Sequence, residues 1–195
     1  MESKKFLEKD IKKIINNFKN KKTGIFPTDT VYGIGGRANS SAVIKKVYKL
    51  KKRAKSKPLL ILVSSISMAK RYVKINKKQE LLLKKYWPGQ VTVILADKGV
   101  LSIELSSGTN KIGIRLPNNK FLLKTIRGLG APLIATSANI SGQGSVLDVK
   151  DIKIKADFIV DGGELPKSKE STVIDLTGDK MVVLRQGVIK IKKII

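Results

Sequence analysis

Several short stretches of this chain carry polar side chains that core packing does not demand. Thr28-Asp29-Thr30 and Tyr32-Gly33 fall where a strand pattern breaks off, and Lys49, Lys51 and Arg53 close the helical pattern that follows. Arg115 lies near the end of a strand pattern, Ser137 and Asn139 follow another, Ser171-Thr172 open a third, and Arg185 ends the next. Histidine and cysteine are both absent, which excludes an imidazole base, a thiolate nucleophile, a disulfide and a Cys/His zinc site. The remaining guanidinium, ammonium, hydroxyl and amide groups suit anionic ligands. Guanidinium forks grip carboxylate or phosphate through paired hydrogen bonds, and hydroxyls and amides orient the rest.

Taken singly, each group has an ordinary explanation. A basic cluster at a helix end complements the macrodipole. Ser137, Asn139 and the Thr28–Thr30 run can serve turns, Arg185 a surface ion pair, and Tyr86 and Trp87 the core. Gly33, Gly35 and Gly36 would let backbone approach a ligand, but their spacing matches neither the phosphate-loop nor the dinucleotide fingerprint.

Hydrophobic periodicity predicts the elements that must position these groups. Phe6, Leu7, Ile11, Ile14, Ile15 and Phe18 recur at near-helical spacing over 3–20. A strand is expected over 23–27, a helix from Ser40 or Ser41 to Leu50, and a buried strand over 58–64. Helices follow over 66–72 and 76–86, stopped at Trp87-Pro88-Gly89. Strands are expected at 91–96, 111–116, 133–136 and 158–160, with a helix over 118–127. The β-rich runs 171–176, 181–185 and 188–191 suggest antiparallel pairing. Helices alternating with strands early and strands clustering late read as an α/β fold with a twisted mixed sheet. Many open sheets of that class bind ligands at strand ends.

A length of 195 residues corresponds to about one domain. Apolar residues form 42% and charged residues 28%, the balance of a folded soluble protein. The formal charge is +25, carried by six arginines and many more lysines, and residues 1–57 hold 17 basic and 4 acidic side chains. That excess reads either as a solvated lysine surface or as a field drawing nucleotides or RNA. Neither a signal peptide nor an apolar run of membrane-spanning length is visible, so a cytoplasmic location without membrane contact is expected.

In order, the stretches say more than they do singly. Phe26-Pro27-Thr28-Asp29-Thr30-Val31-Tyr32-Gly33-Ile34-Gly35 is followed by Lys51-x-Arg53 and Trp87-Pro88-Gly89-Gln90-Val91-Thr92. Then come Gly113-Ile114-Arg115-Leu116-Pro117, Thr136-Ser137-Ala138-Asn139-Ile140-Ser141-Gly142, Ser171-Thr172-Val173-Ile174-Asp175 and Arg185-Gln186-Gly187. Across about residues 8–190 the chain closely resembles the YrdC/TsaC family of L-threonylcarbamoyladenylate synthases. The resemblance implies an α/β fold whose twisted mixed sheet and flanking helices surround a large basic cleft. It implies a single YrdC-like domain over 1–195, the short form without an appended C-terminal domain.

It also implies a nucleotidyltransferase reaction: L-threonine, bicarbonate or CO2, and ATP give threonylcarbamoyl-AMP and pyrophosphate. The product serves threonylcarbamoyladenosine modification of tRNA, so downstream threonylcarbamoyl-transfer enzymes are expected partners and tRNA a candidate one. Lys51 and Arg53 are the expected catalytic pair. Thr30, Arg115 and Ser171 are assigned to threonine, and Lys49, Lys51, Arg53, Ser137, Asn139, Ser145 and Arg185 to the nucleotide. Mg2+ is expected on the triphosphate without direct protein ligands, Asp29 being a candidate for contact through water. The nucleophile belongs to the substrate, so the protein's task is to align anions and stabilise charge. Ala54 stands where the family commonly has proline, Arg37 where a small or acidic residue is usual, and no base for the threonine amine is visible. Two rival readings compete with this one. One is a non-catalytic double-stranded RNA or tRNA-binding module, which 5% aromatic content disfavours. The other is a carbamoyl-transfer domain of hydrogenase maturation proteins, which the lack of cysteine disfavours.

Overall fold

Short strands among the described residues form two sheets. A computed structural model describes residues 3–191. The first sheet has five strands in the order β1 (Lys4–Leu7), β9 (Phe158–Asp161), β2 (Gly24–Phe26), β3 (Gly33–Gly35) and β8 (Thr136–Ser137). The second has six, in the order β11 (Val182–Arg185), β10 (Thr172–Asp175), β5 (Val91–Ala96), β6 (Lys111–Arg115), β4 (Leu60–Leu62) and β7 (Leu133–Ile134). Both are mixed: β2 runs parallel to β9 but antiparallel to β3, and β6 runs parallel to β4 but antiparallel to β5.

Six α-helices among the described residues flank them: α1 (Ile11–Lys19), α2 (Ser41–Lys51), α3 (Ile66–Lys70), α4 (Lys77–Tyr86), α5 (Ile103–Ser106) and α6 (Lys120–Leu129). Each sends an apolar stripe into one large core, with Phe18 of α1, Val47 of α2, Leu83 of α4 and Ile126 of α6 all but inaccessible. Phe6, Phe158, Phe18 and Phe26 form a chain of edge-to-face rings through it, with centroids 5.0–6.0 Å apart. A smaller cluster, Ile25, Tyr32, Ile34, Ala138, Ile154 and Ala156, packs separately on the five-stranded sheet.

The architecture is the expected mixed α/β class with flanking helices, its strands divided between two sheets. The amphipathic run at the N-terminus is α-helical only from Ile11, after a single 3-10 turn at Glu8–Asp10, because Lys4–Leu7 pairs with β9 in parallel register and Phe6 stacks on Phe158. Two short elements, β3 and α5, were not anticipated, and 188–191 forms no strand. Glycines 33 and 35 flank Ile34 in β3 and give it no strand propensity of its own, so pairing with β2 and β8 defines it. At Gly35 a Cβ would collide with the carbonyl of Ile134. The glycine run therefore lets backbone approach backbone, and of its three members only Gly33 lines the cavity described below.

Candidate functional site

One face of the six-stranded sheet is left uncovered by helices and becomes the floor of a cavity of about 680 Å³. The period of two decides which residues reach it. Val91, Val93 and Leu95 of β5, and Ile112 and Ile114 of β6, point into the core and are 0% exposed. Their neighbours Thr92, Ile94, Lys111, Gly113 and Arg115 line the cavity, joined by Leu60 and Leu62 of β4, Val173 of β10 and Leu184 of β11. Walls come from the β2–β3 loop (Thr28–Tyr32), the end of α2 with the segment 53–59, β8 with the loop to Gln143, and Glu170-Ser171. Lys51, Arg53, Lys57, Lys111, Arg115 and Arg185 set six cations against one lining carboxylate, Glu170.

The last turn of α2 closes with a Schellman pattern: the Lys52 and Arg53 N–H groups donate to the carbonyls of Lys49 (3.1 Å) and Tyr48 (3.0 Å). This reversal leaves Lys51 facing inward, 1% exposed, and sends Arg53 back beside the cavity. Arg53 donates from Nε and Nη2 to the carbonyls of Lys57 (3.1 Å) and Pro58 (2.9 Å), which orients its guanidinium. The Lys51 ammonium donates to the carbonyls of Ser137 and Asn139 (2.7 Å) and to Asn139 Oδ1 (3.2 Å). Burial first, and then the nearby Arg53 charge, pull its pKa down to about 8, with Glu170 opposing. At neutral pH it is therefore still mainly a cation.

The β2–β3 loop is a hydroxyl-bonded turn. Thr28 Oγ1 donates to the Val31 carbonyl (2.8 Å) and accepts from the N–H groups of Thr30 (3.0 Å) and Val31 (3.2 Å). Its single proton is thereby engaged, so in the 3.0 Å Thr28–Thr30 hydroxyl contact Thr30 is the donor. Thr30 Oγ1 in turn accepts from Arg115 Nη1 at 3.4 Å. Asp29 pairs with Arg115 Nη2, and its second oxygen accepts the Asn118 N–H (3.0 Å). Both side chains are largely buried, 5% exposed for Arg115 and 9% for Asp29. Burial lowers the Arg115 pKa and the Asp29 charge counters it. Arg115 Nε is buried with no protein partner, so one donor of this residue lacks an acceptor.

On the far side, Arg185 Nε donates to the Ser171 carbonyl (3.1 Å), Nη2 to Ser171 Oγ (3.3 Å), and Nη1 pairs with Glu170. Ser171 Oγ also shares a 2.8 Å hydrogen bond with Thr92 Oγ1. Gly187 permits this closeness, because a Cβ there would strike the Glu170 carbonyl and the Ser171–Thr172 backbone.

The structure brings Thr30, Lys51, Arg53, Arg115, Ser137, Asn139, Ser171 and Arg185 to one cavity. Lys49 is not among the lining residues; it borders a second hollow beside α5 with Lys45, Lys52 and Ile103. Ser145 also stands off the lining, although its hydroxyl donates to Glu170 at 2.7 Å. Asp29 does not line the cavity and reaches the site through Arg115. No group of three or more acidic side chains that could hold a metal ion occurs among the described residues. Sequence reasoning missed Thr92, Lys111, Glu170 and Gln143. Strand alternation marked Thr92 and Lys111 as off the core, while Glu170 and Gln143 carried no signal.

The fold and the site together describe an α/β protein with a cavity built for anions. A family model, Sua5/YciO/YrdC, described as "Telomere recombination", matches residues 16–187. The chain belongs to this family. It is 38% identical over 199 residues to a putative threonylcarbamoyl-AMP synthase of Methanocaldococcus jannaschii, covering 99% of this chain and 91% of that one. It is 36% identical over 174 residues to the threonylcarbamoyl-AMP synthase of Pyrococcus abyssi, covering 87% of this chain. The chain spans about half the length of that relative, 51%. A crystal structure of P. abyssi Sua5 complexed with L-threonine superposes with a TM-score of 0.86 at 33% identity, over 95% of this chain and 57% of that one. No helix among the described residues is long and apolar enough to cross a membrane.

Proposed function

We propose that this chain is a threonylcarbamoyl-AMP synthase, joining L-threonine, bicarbonate or CO2, and ATP into threonylcarbamoyl-AMP and pyrophosphate. The observation that carries the reading is the convergence of eight dispersed polar residues, from Thr30 to Arg185, on one cavity of about 680 Å³. That volume lies in the range of small-molecule sites, with room for a nucleotide and an amino acid side by side. The relatives' names and the threonine carried by P. abyssi Sua5 support the same reading.

In this reading Arg115 takes the threonine carboxylate, while Thr30 and Ser171 orient the rest of the amino acid. Arg53 and Arg185 face the phosphates, and Ser137 and Asn139 hold the nucleotide. The threonine amine attacks CO2, forming a C–N bond and releasing a proton. A carbamate oxygen then attacks the α-phosphorus of ATP, and the bond to the β-phosphate oxygen breaks as pyrophosphate leaves. Adenylyl transfer of this kind is nucleotidyltransferase chemistry in which every reacting group comes from substrate. Alignment can then supply roughly 7–11 kcal/mol of the barrier, more than the roughly 3–4 kcal/mol of one charge-stabilising donor. Magnesium would enter with ATP as part of the substrate. The product would pass to threonylcarbamoyl-transfer enzymes that modify tRNA, and a cytoplasmic location belongs to the same reading.

Purified protein incubated with ATP, labelled threonine and bicarbonate should yield the mixed anhydride by mass spectrometry. Salt-sensitive RNA binding with no ATP consumption would replace this reading with that of an RNA-binding module.

A further inference from the structure

Lys51 has no donor to offer a ligand. An ammonium carries three N–H bonds and no acceptor, and Nζ of Lys51 meets three protein oxygens: the carbonyls of Ser137 and Asn139 and the Asn139 side-chain oxygen. The contact also fixes the Asn139 amide. Its oxygen must face the ammonium, so its NH2 is turned to the carbonyl of Gln143. The same loop returns a bond, the Ser141 N–H donating to the Lys51 carbonyl at 2.9 Å. Both ends of Lys51 thus hold the segment 137–143.

We infer that Lys51 is a positioning residue, whose ammonium holds the 137–143 loop so that Ser137 and Asn139 meet the nucleotide, and that it acts through them without touching phosphate. The inference rests on the nucleotide reading above. For Nζ to turn to a phosphate it would have to take this donor away from one of those three oxygens. Charges facing Lys51 are Arg53, from the segment after α2, and Glu170, from the segment before β10. Loss of the Lys51 proton would leave one of its three oxygen partners without a donor and so loosen the loop.

The test compares wild type with Lys51→Met by hydrogen exchange and by calorimetry with AMP and ATP. The Ser141 and Gln143 amides should exchange about tenfold faster in the variant relative to those of β5, and affinities for AMP and ATP should fall by the same factor. Wild-type AMP affinity should also decline between about pH 7.5 and pH 9 while that of Lys51→Met stays flat. Unchanged loop exchange, or an ATP affinity that falls tenfold further than that for AMP, would overturn the inference. If Lys51→Met does not fold, nitrogen NMR of the wild-type ammonium decides. A slowly exchanging signal unmoved by ATP supports the role, and a signal that shifts with ATP but not AMP refutes it. Wild-type protein that binds neither nucleotide sinks the nucleotide reading, and the exchange result then still decides whether Lys51 holds the loop.

Discussion

Two of the cavity's guanidinium groups carry carboxylate partners of different permanence. The Asp29–Arg115 pair is buried, whereas Arg185 and Glu170 are 42% and 31% exposed. Removing one member of a buried pair strands the other, at about 3–5 kcal/mol; an exposed pair contributes about 0–1 kcal/mol. Asp29→Ala should therefore destabilise the protein by several times as much as Glu170→Ala, as urea midpoints would show. Arg53→Ala should keep the wild-type melting temperature yet lose about 10²–10³ in turnover, the loss typical of one donor at developing charge; near-normal product formation would remove Arg53 from the phosphate site. Lys51 adds a pH signature. Its proton leaves the folded protein near pH 8 but an unfolded lysine only near about 10.4. Between those values the unfolded chain binds more protons, so rising pH favours the fold at this residue. The stability of wild type minus that of Lys51→Met should accordingly rise between about pH 8 and pH 10, and a flat difference would contradict the depressed value. The part of the site legible in the sequence was the set of unpaired-looking donors, Thr30, Arg115, Ser137, Asn139, Ser171 and Arg185. Their protein partners were not legible, because Asp29 and Arg115 are 86 positions apart and no local pattern announces such a contact.

At the scale of elements, α2 matters most, because its end aims two of the site's cations. Lys52 closes it in the left-handed region at φ 48°, a conformation that glycine adopts freely and β-branched residues resist. Lys52→Gly should be neutral or stabilising, and Lys52→Val should cost about 1–3 kcal/mol and weaken nucleotide binding along with stability, as paired melting and binding curves would show. The helix itself was readable from Val43, Ile44, Val47 and Tyr48, and β5 was readable residue for residue, because long regular periods announce themselves. Lys4–Leu7 was read as helix because a strand of four residues at a sheet edge is set by its partner β9, 150 positions away in sequence and more. The four-residue α5 was too short to carry a period.

At the scale of the whole molecule, 40 basic side chains against 15 acidic ones imply self-repulsion, which salt relieves. Raising sodium chloride from about 0.01 M to 0.15 M shortens the screening length from about 30 Å to 8 Å, and the melting temperature should climb with it. A flat or falling curve would mean that attractive pairs such as Asp29–Arg115 outweigh the surplus. The α/β class was legible from alternating periods; the division into two sheets was not, since sheet membership depends on which edges meet.

That division has a further outcome. One sheet furnishes the floor on which threonine and ATP are proposed to rest, and the other, through β3, β8 and the loop before β3, supplies much of the wall. The strands of the two sheets interleave along the chain, so no contiguous fragment holds a whole binding surface, and a proteolytic cut that parts the chain into two separated fragments should abolish occupancy by both substrates together, never by one alone.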